Sequence, residues 1–336
     1  MSKKIPVIID ADTGVDDALA LVLACASDKL DILAVTAVAG NTSLEHSTRN
    51  TLNVLHLLGR DDIPVAAGAD RPLSRDLMKA SGVHGFTGLR GYTFEQNNTQ
   101  ALVKDKAWDL MRSILAASEE KVTIIAIGPM TNVAHLLEKY PEVKGRIERV
   151  VFMGTSYHDG NPTPVATFNV LVDPEAFRKV LFSGVELYAC PLETTRKLFI
   201  SEEEKEKLRQ ISGPAAKLAY GVLGGYGRAT EEELALIAAA DDEEYFEEKR
   251  QKASLSSHSL HDPATVAFVC APELFSYKKY YCDVECKGEL TTGFTLIDMA
   301  NYYGKTEEER NLYYLESSER ERFIQLFFEA VESYSK

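Results

Sequence analysis

The stretch Val7–Ala24, VIIDADTGVDDALALVLA, places four aspartates between a short apolar run and a long apolar segment. They are Asp10, Asp12, Asp16 and Asp17. The apolar runs predict a buried strand followed by a helix. A carboxylate beside a hydrophobic core costs several kcal/mol unless it is paired, hydrogen-bonded or bound to a metal. No Lys or Arg lies among the four, so they repel one another and require a cation or a proton.

The spacing DxDxxxDD at a strand-to-helix turn offers the oxygen ligands that Ca²⁺ and Mg²⁺ prefer. Capping of the helix accounts for one or two carboxylates, not for four. An EF-hand loop counted from Asp10 fails, because Gly14 and Leu21 occupy positions that need acidic ligands. A phosphatase of the DxD type remains an alternative, although it needs cationic groups for the phosphoryl oxygens. Gly14 is expected to permit a tight turn.

Composition narrows the class of protein. The 336 residues are 45% hydrophobic and carry a formal net charge of −14. Such an acidic chain is not expected to bind nucleic acid or anionic lipid, and no apolar run is long enough to span a membrane. The five cysteines include no CxxC pair, which predicts free thiols in a reducing, cytoplasmic compartment. A metal site at Cys282 and Cys286 is a weak alternative, because no His lies close by.

The order of apolar runs and helical patterns predicts an α/β fold. Continuously apolar strands indicate a mostly parallel central sheet with helices on both faces. In such a sheet ligands bind beyond the carboxyl ends of the strands. Four segments are predicted there: Asp10–Asp17, Gly40–Asn41, Gly128–Asn132 and Gly154–Asn169. We expect one domain, residues 1–336, in which a charged helical segment of about 201–252 forms solvated faces or a lid beside the site.

Two further groups of residues lie near predicted strand or helix ends. His261 and Asp262 precede an apolar helical run, where an Asp could complete a metal site and a His could act as general acid. A helix cap is the plainer interpretation. Four asparagines also follow strands, and their amides suit sugar hydroxyls, although each alone is more often a turn residue. They are Asn41, Asn132, Asn161 and Asn169.

With these pieces in place, the chain resembles the inosine–uridine-preferring nucleoside hydrolase family. The similarity runs in order along nearly the whole sequence, and the aspartate motif combined with the late HDP is its most specific part. The motifs are IIDADTGVDDALAL, AVAGN, HGFTG, IAIGPMTNVA, VVFMGTSYHDGNPTPVATFNVLVDPEA, LHDPATVAF and LTTGFTLID. The resemblance implies a Rossmann-like nucleoside hydrolase fold, a nucleoside substrate and a homodimer or homotetramer.

The resemblance also implies roles for individual residues. Ca²⁺ would be bound by Asp12, Asp17, Asp262 and the carbonyl of Ile127, with Asp10 in support. Asp12 would accept the proton of the attacking water, and His261 would protonate the leaving base in members that act on purines. The residues expected to hold the substrate or the water are Asp16, Asn41, His84, Met153, Asn161, Thr167 and Asn169, of which Asn169 is also counted as catalytic.

Several positions depart from the family pattern. Thr13 replaces a usual Pro, which should matter little because Gly14 is kept. Thr167 stands where the family usually has a Glu that binds the 5′-hydroxyl, so the 5′ contact is expected to differ. Phe86 and Arg90 are unusual in the loop after His84. Three tyrosines of the charged segment are candidates for stacking on the base, with packing the plainer interpretation. They are Tyr220, Tyr226 and Tyr245.

The sequence thus predicts a Ca²⁺-dependent nucleoside N-ribohydrolase. The chemistry is coherent, because a metal can activate water and carboxylates can stabilise an oxocarbenium-like transition state. The alternatives are a nucleoside-binding relative with altered 5′ specificity and weak activity on common ribonucleosides, and the phosphatase. The base preference is not readable from the residues.

Overall fold

The structure, a computed structural model, describes residues 3–225 and 258–335. Its strands within these residues are β1 (Ile5–Ala11), β2 (Leu30–Ala37), β3 (Val65–Ala67), β4 (Val122–Ala126), β5 (Ile147–Met153), β6 (Leu187–Cys190), β7 (Phe199–Ile200), β8 (His258–Ser259), β9 (Phe275–Tyr280), β10 (Cys282–Val284), β11 (Thr295–Ile297) and β12 (Leu312–Ser318).

The helices surround the strands and alternate with them through the first half of the chain. They are α1 (Val15–Ala26), α2 (Leu44–Leu57), α3 (Ser81–His84), α4 (Ala107–Ala117), α5 (Thr131–Lys139), α6 (Phe168–Val172), α7 (Pro174–Leu181), α8 (Leu192–Thr195), α9 (Glu202–Leu208), α10 (Pro214–Gly225), α11 (His261–Cys270) and α12 (Arg320–Glu332). Short 3₁₀ turns cover Pro141–Arg146 and Pro272–Leu274.

One eight-stranded sheet forms the centre, in the order β3-β2-β1-β4-β5-β6-β12-β9. Every neighbouring pair is parallel except β12 with β9. Strand β1 lies inside the sheet and pairs with β2 on one side and β4 on the other. The predicted α/β class and mostly parallel sheet are therefore confirmed.

Both faces of the sheet are covered by helices. Val7 and Ile9 of β1 pack into one hydrophobic cluster, which includes α1, α11 and α12. Ile8 points the other way, into a second cluster that includes α4, α5 and α7. Because side chains alternate along a strand, a strand buried on both faces must be apolar at every position. This is why the run from Val7 to Ile9 contains no polar residue.

The parallel strands end on one edge of the sheet, which is where a ligand crevice is expected. β1 leads directly to Asp12, β2 to Gly40–Asn41, β4 to Ile127 and β5 to the long loop before α6. Strands β10 and β11 form a separate antiparallel pair, and α12 is the last helix of the described residues. The sheet therefore brings the four predicted segments to one edge.

The structure describes only some of the tyrosines and only part of the charged segment considered in the sequence analysis. Tyr220 is half-buried and packs against the hydrophobic cluster of α1, as the plainer interpretation held. Tyr226, Tyr245 and most of the charged segment lie outside the described residues. All five cysteines are free, and the thiols of Cys282 and Cys286 contact backbone carbonyls. Within residues 3–225 and 258–335, no helix combines the length and apolar character of a membrane span.

Candidate active site

The turn between β1 and α1 is built around Asp17. Its Oδ1 accepts the backbone N–H of Asp12 at 3.2 Å, and its Oδ2 accepts that of Gly14 at 2.9 Å. The side-chain amide of Asn41 donates to the same Oδ2 at 3.0 Å. Asp17 thereby satisfies backbone N–H groups of the turn that leads into the helix. It also ties the turn after β1 to the turn after β2.

Gly14 serves a purpose other than the predicted one. Its φ of −105° is open to any residue, so no special backbone freedom is used. A Cβ at this position would lie 2.5 Å from Nδ1 of His84. The ring of His84 approaches here because its Nδ1 accepts the N–H of Val15 at 3.1 Å. The glycine is thus required by the close approach of a side chain, and the expectation of a conformational role was wrong.

Asp12 has one carboxylate oxygen with a partner and one without. The N–H of Asn41 donates to its Oδ2 at 2.6 Å, whereas Oδ1 is buried and receives no hydrogen bond from the residues that the structure describes. Two glycines leave room for this carboxylate, because a Cβ on Gly40 would lie 2.1 Å from Oδ2 and one on Gly128 3.0 Å from Oδ1. Burial, then the charge of Asp17, raises the pKa of Asp12 well above its ordinary value.

Asp16 joins α1 to α11 across the crevice. Its Oδ2 accepts the backbone N–H groups of His261 at 3.0 Å and Asp262 at 3.1 Å, so it caps the first turn of α11. Its Oδ1 accepts no hydrogen bond from the described residues. Burial, then the charge of Asp17, raises its pKa to about 8 despite these two hydrogen bonds. The cap places Asp262 beside the aspartates of the first turn.

The carboxylate of Asp262 completes the cluster. It is 4% exposed, and burial raises its pKa well above the ordinary value. The charges of Asp16, Asp17 and Asp12 raise that pKa further, in this order. Residues from the two ends of the chain are thus close enough to repel one another. The structure brings the three predicted metal-binding carboxylates together.

Asp10 lies beneath this cluster. Its Oδ1 accepts hydrogen bonds from Thr36 at 2.6 Å and Asn132 at 2.8 Å, and its Oδ2 is buried without a partner. Burial raises its pKa to about 7. The amide of Asn132 also donates to Ala37 and accepts from Ala69. Fully buried and engaged in this way, Asn132 supports the strand ends, and the expectation that its amide faces a sugar was wrong.

Asn169 lies in α6 and contacts the ends of β4 and β5. Its amide donates to the carbonyl of Ile127 at 2.7 Å and to that of Met153 at 3.2 Å. Met153 is 7% exposed, and its sulfur lies 3.6 Å from the same amide nitrogen. A carbonyl oxygen has two lone pairs, so that of Ile127 keeps one for a further partner. The ends of β4 and β5 are thereby joined by one side chain.

Two residues of the loop before α6 bond within the protein. Thr167 is buried, and its hydroxyl accepts the N–H of Thr155 at 3.0 Å. Thr155 has a positive φ of 72°, which is uncommon for a β-branched residue, and its own hydroxyl is buried without a partner. Asn161 is exposed, and its Oδ1 accepts the N–H of Phe168 at 2.9 Å.

Both histidines of the site engage Nδ1, His84 with the N–H of Val15 and His261 with the hydroxyl of Thr195. In His261, Nδ1 lies 2.7 Å from the hydroxyl of Thr195, which donates its single hydrogen to the carbonyl of Pro191. The hydroxyl oxygen therefore accepts from Nδ1–H, which leaves Nε2 of the neutral ring without a proton. Burial, then the charge of Arg196, lowers the pKa of His261 to about 4. Burial, then Arg90, lowers that of His84 to about 3.

The charge balance of the crevice suits a cation. The pKa values of the five aspartates are shifted by burial, by hydrogen bonds and by other aspartates. No Lys or Arg of the described chain is among the causes. Within residues 3–225 and 258–335, no group of three or more His, Cys, Asp or Glu side chains is placed so that it could hold a metal ion. The donor chemistry nevertheless fits a hard divalent ion, because Asp17 and Asp262 interact with Asp12, whose Oδ1 receives no hydrogen bond from the described residues.

Comparison with known proteins shows which family the chain belongs to. The family model described as inosine-uridine preferring nucleoside hydrolase matches residues 7–325. The chain belongs to this family.

Individual relatives agree with the family match. The chain is 39% identical over 334 residues to the pyrimidine-specific ribonucleoside hydrolase RihA of Photobacterium profundum, covering 98% of this chain and 99% of that protein. It is 38% identical over 336 residues to the protein of the same name from Escherichia coli, with the same coverage. This nucleoside hydrolase is therefore an enzyme that cleaves N-glycosidic bonds of ribonucleosides, and its family is metal-dependent.

Solved structures share the fold of this nucleoside hydrolase. A plant nucleoside hydrolase, PpNRh1, superposes with a TM-score of 0.84 at 26% identity, covering 98% of this chain and 99% of that one. A purine-preferring ribonucleoside hydrolase from Gardnerella vaginalis gives a TM-score of 0.83 at 24% identity, with the same coverage. The predicted family and the predicted fold are both confirmed.

The sequence analysis of this nucleoside hydrolase missed one segment of the crevice. Glu193, Thr195 and Arg196 follow β6 directly, at the same edge of the sheet as the other strand-end residues. They contact the loop before α6 and the ring of His261. The sequence does indicate this segment, because the polar residues of PLETTR follow the apolar run VELYAC, which predicts a strand. The rule that placed the other four segments would have placed this one too.

Proposed function

We propose that the nucleoside hydrolase activity of this chain depends on Ca²⁺ bound between the first turn and α11. The observation that carries the proposal is the buried, unpartnered Oδ1 of Asp12 within a cluster of carboxylates whose pKa values are raised. The ligands would be the side chains of Asp12, Asp17 and Asp262 and the carbonyl of Ile127. When bound, such an ion supplies a water of lowered pKa at a fixed position.

The side chains around this position have separate roles in catalysis and in substrate binding. Asp12 takes the proton of the attacking water, because its Oδ1 is not committed to a hydrogen bond. Asp16 and Asn169 bind the sugar hydroxyls and the water. Asn41 holds Asp12 and Asp17 by its backbone and side-chain N–H groups and lies beside the sugar. The negative carboxylates favour the positive charge that develops on the sugar ring.

His261 is proposed to protonate the leaving base through Nε2, the nitrogen that does not face Thr195. A leaving base is a poor anion, so a proton lowers the barrier to its departure. With its pKa lowered to about 4, the ring is charged in about one molecule in 1,000 at pH 7. His261 is thus a strong acid with a small charged population, and its contribution should increase as the pH falls.

The preferred base is proposed from the relatives. The proteins that are 38–39% identical over nearly the full chain carry names that specify pyrimidine ribonucleosides. We therefore expect uridine and cytidine to be better substrates than inosine. His84, Met153, Asn161 and Thr167 complete the proposed substrate-binding set around the loop before α6 and the turn at α3.

One assay tests the activity and the metal together. The purified protein is stripped with a chelator, reloaded with Ca²⁺ or Mg²⁺, and mixed with uridine, cytidine or inosine, and the reducing sugar released is measured. Release of ribose from uridine that needs Ca²⁺ is the expected result. Equal activity in the chelator would contradict the metal proposal, whereas phosphate release from a phosphomonoester without ribose release from any nucleoside would support the phosphatase.

A second candidate concerns specificity at the 5′ end of the sugar. Thr167 is short, neutral and buried, and its hydroxyl accepts the N–H of Thr155, so it offers no carboxylate to a 5′-hydroxyl. The enzyme would then tolerate a 5′-modified nucleoside and act weakly on common ribonucleosides. A kcat/KM for 5′-deoxyuridine within about threefold of that for uridine would favour this candidate, and a loss of about 100-fold would exclude it.

Three broader properties are also proposals. We propose that residues 1–336 form one domain, since both hydrophobic clusters share strands of one sheet. A cytoplasmic location is supported by the five free cysteines. A homodimer or homotetramer is proposed from the family resemblance and is testable by light scattering.

A further inference from the structure

We propose that the short helix α8 positions two parts of the active site at once, with Glu193 holding the loop that carries the sugar-binding residues and Thr195 holding the ring of His261. The inference rests on the function proposed above. It makes Glu193 and Thr195 positioning residues, because each acts through another group and neither is placed against the substrate.

Glu193 accepts hydrogen bonds from the first residues of the loop after β5. Its Oε1 accepts three hydrogen bonds, from the hydroxyl of Ser156 at 2.6 Å and from the N–H groups of Tyr157 at 3.0 Å and His158 at 3.1 Å. The Ser156 hydroxyl in turn accepts the N–H groups of His158 and Asp159. Three consecutive residues of the loop are therefore fixed by one carboxylate oxygen.

The other oxygen of Glu193 is anchored in the core. The hydroxyl of Tyr314, a residue of β12 that is 1% exposed, donates to Oε2 at 2.6 Å. Burial and the adjacent Glu193 raise the pKa of Tyr314, so this hydroxyl keeps its proton and remains a donor. All four groups bound to the carboxylate are donors, which is the pattern of an ionised glutamate. A fully buried tyrosine thus fixes the position from which Glu193 holds the loop.

The loop transmits this position to the sugar-binding residues. Arg196, just beyond α8, forms an ion pair with Asp159 and donates to the carbonyl of Gly160 at 2.9 Å. The next residue, Asn161, is bonded through its N–H to the carbonyl of Ala166 and through Oδ1 to the N–H of Phe168. The segment held by α8 is therefore continuous with the start of α6, where Thr167 and Asn169 lie.

The second arm of α8 reaches α11. The hydroxyl of Thr195 accepts Nδ1–H of His261 at 2.7 Å, which fixes both the ring orientation and the nitrogen that stays unprotonated. α8 itself is tied to the sheet, because the hydroxyl of Thr194 donates to the carbonyl of Leu315 in β12 at 2.7 Å. Two residues apart on one rigid turn, Glu193 and Thr195 thus set the spacing between the sugar loop and the proposed general acid.

Substitutions of Glu193 and of Thr195 should change different kinetic constants. Glu193→Ala should raise KM for uridine about tenfold and change kcat less, because the sugar loop loses three fixed N–H or O–H partners. Glu193→Gln should recover most of the affinity, since its amide oxygen can still accept from the loop. Thr195→Val, which keeps the shape but removes the acceptor, should lower kcat about tenfold with little change in KM.

A matched control lies far from the crevice. Asp109 also accepts a tyrosine hydroxyl, that of Tyr140, and an N–H of Lys139. Tyr140 follows the end of α5 that is opposite to its crevice end. Asp109→Ala should therefore lower Tm, as Glu193→Ala does, without changing KM. Hydrogen exchange of a peptide covering residues 156–166 provides a second readout that needs no turnover, and its amides should exchange at least about tenfold faster in Glu193→Ala only.

The results separate this inference from the proposed function. If the wild type releases no ribose, the proposed function fails, while faster exchange of residues 156–166 in Glu193→Ala still supports the positioning of the loop. If the wild type is active and Glu193→Ala leaves both KM and exchange unchanged, the inference is overturned. Should Glu193→Ala fail to fold, Tyr314→Phe, which removes only the anchor at Oε2, must raise KM relative to Tyr140→Phe, and an unchanged KM would equally overturn it.

Discussion

Asp12 Oδ1 is the atom on which the residue-level chemistry depends. It is buried and receives no hydrogen bond from residues 3–225 and 258–335, and two glycines allow its carboxylate to lie between the ends of β2 and β4. Leaving a buried polar atom unpaired costs about 1–3 kcal/mol. Such a cost beside the carboxylates of Asp17 and Asp262 is typical of a site organised for a ligand rather than for stability.

Asp12→Asn tests this directly. We expect turnover of uridine to fall by about 1,000-fold and bound Ca²⁺ to be lost, because the base and a metal ligand disappear together. The metal-free variant should be more stable to heat than the metal-free wild type, because one of several repelling charges is removed. Elemental analysis after dialysis and thermal unfolding in a chelator measure these effects. A variant that keeps its Ca²⁺ would contradict the ligand assignment.

His261→Ala tests the proposed acid. The loss of kcat/KM should be about 100-fold on uridine and less than about fivefold on 4-nitrophenyl riboside, whose leaving group needs no proton. Because the pKa of His261 is lowered to about 4, the charged form increases tenfold for each pH unit of acidification near neutrality. The wild-type advantage on uridine should therefore be larger at pH 6 than at pH 8. Equal losses on both substrates would exclude the acid role.

At the scale of elements, the carboxyl ends of β1, β2 and β4 approach one another so closely that no side chain fits between them. A Cβ on Gly40 would lie 2.1 Å from Asp12 Oδ2 and 2.8 Å from the ring of Pro129. This contact fixes the distance between the turn after β2 and the turn after β1. The element geometry and the position of the proposed base therefore depend on the same glycine.

Gly40→Ala should consequently affect both properties. We expect a loss of about 1–3 kcal/mol in the free energy of unfolding, typical of overpacking, and a loss of Ca²⁺ affinity of at least tenfold. Urea unfolding and calcium titration measure the two. Gly145→Ala is the control, because a Cβ there meets nothing within 4 Å. If Gly40→Ala binds Ca²⁺ as tightly as the control, the approach of the turns does not govern the site.

The elements were predictable from the sequence where burial alone decides them. Val7–Ile9 is apolar at every position because the strand is covered on both faces, and that pattern is readable without a structure. Roles that depend on contacts between distant residues were not readable. Gly14 was assigned to a turn, yet it faces His84, and Asn132 was assigned to a sugar, yet it bonds Asp10 and two backbone groups.

At the scale of the whole molecule, the buried aspartates link stability to pH. The folded pKa of Asp10 is about 7 and that of Asp16 about 8, both above the ordinary 3.8. Their protonated forms therefore stabilise the fold fully below about pH 4, and this contribution is lost as the pH rises through 7 and 8. The sign is opposite to that of a carboxylate in a salt bridge.

The metal-free protein should thus lose stability with rising pH. We expect Tm in a chelator to fall steadily between about pH 5 and pH 8. Over this range each group lowers the free energy of unfolding by up to about 1.4 kcal/mol per pH unit. Saturating Ca²⁺ should flatten this dependence, because a cation favours the ionised carboxylates. Calorimetry at several pH values with and without Ca²⁺ measures both curves. A Tm that rises over this range in the chelator would contradict the assigned shifts.

The hydrogen bonds from His261 and Asp262 to Asp16 join residues that are 245 and 246 positions apart. A ribosome adds about 5–20 residues per second, so the first turn waits about 12–50 s for its partner helix to be made. During that time the early aspartates have neither Asp262 nor the N–H groups of α11. Protein synthesis therefore delivers the repelling aspartates first and their partner helix about 245 residues later, so that the active site can be completed only after Asp262 has been made.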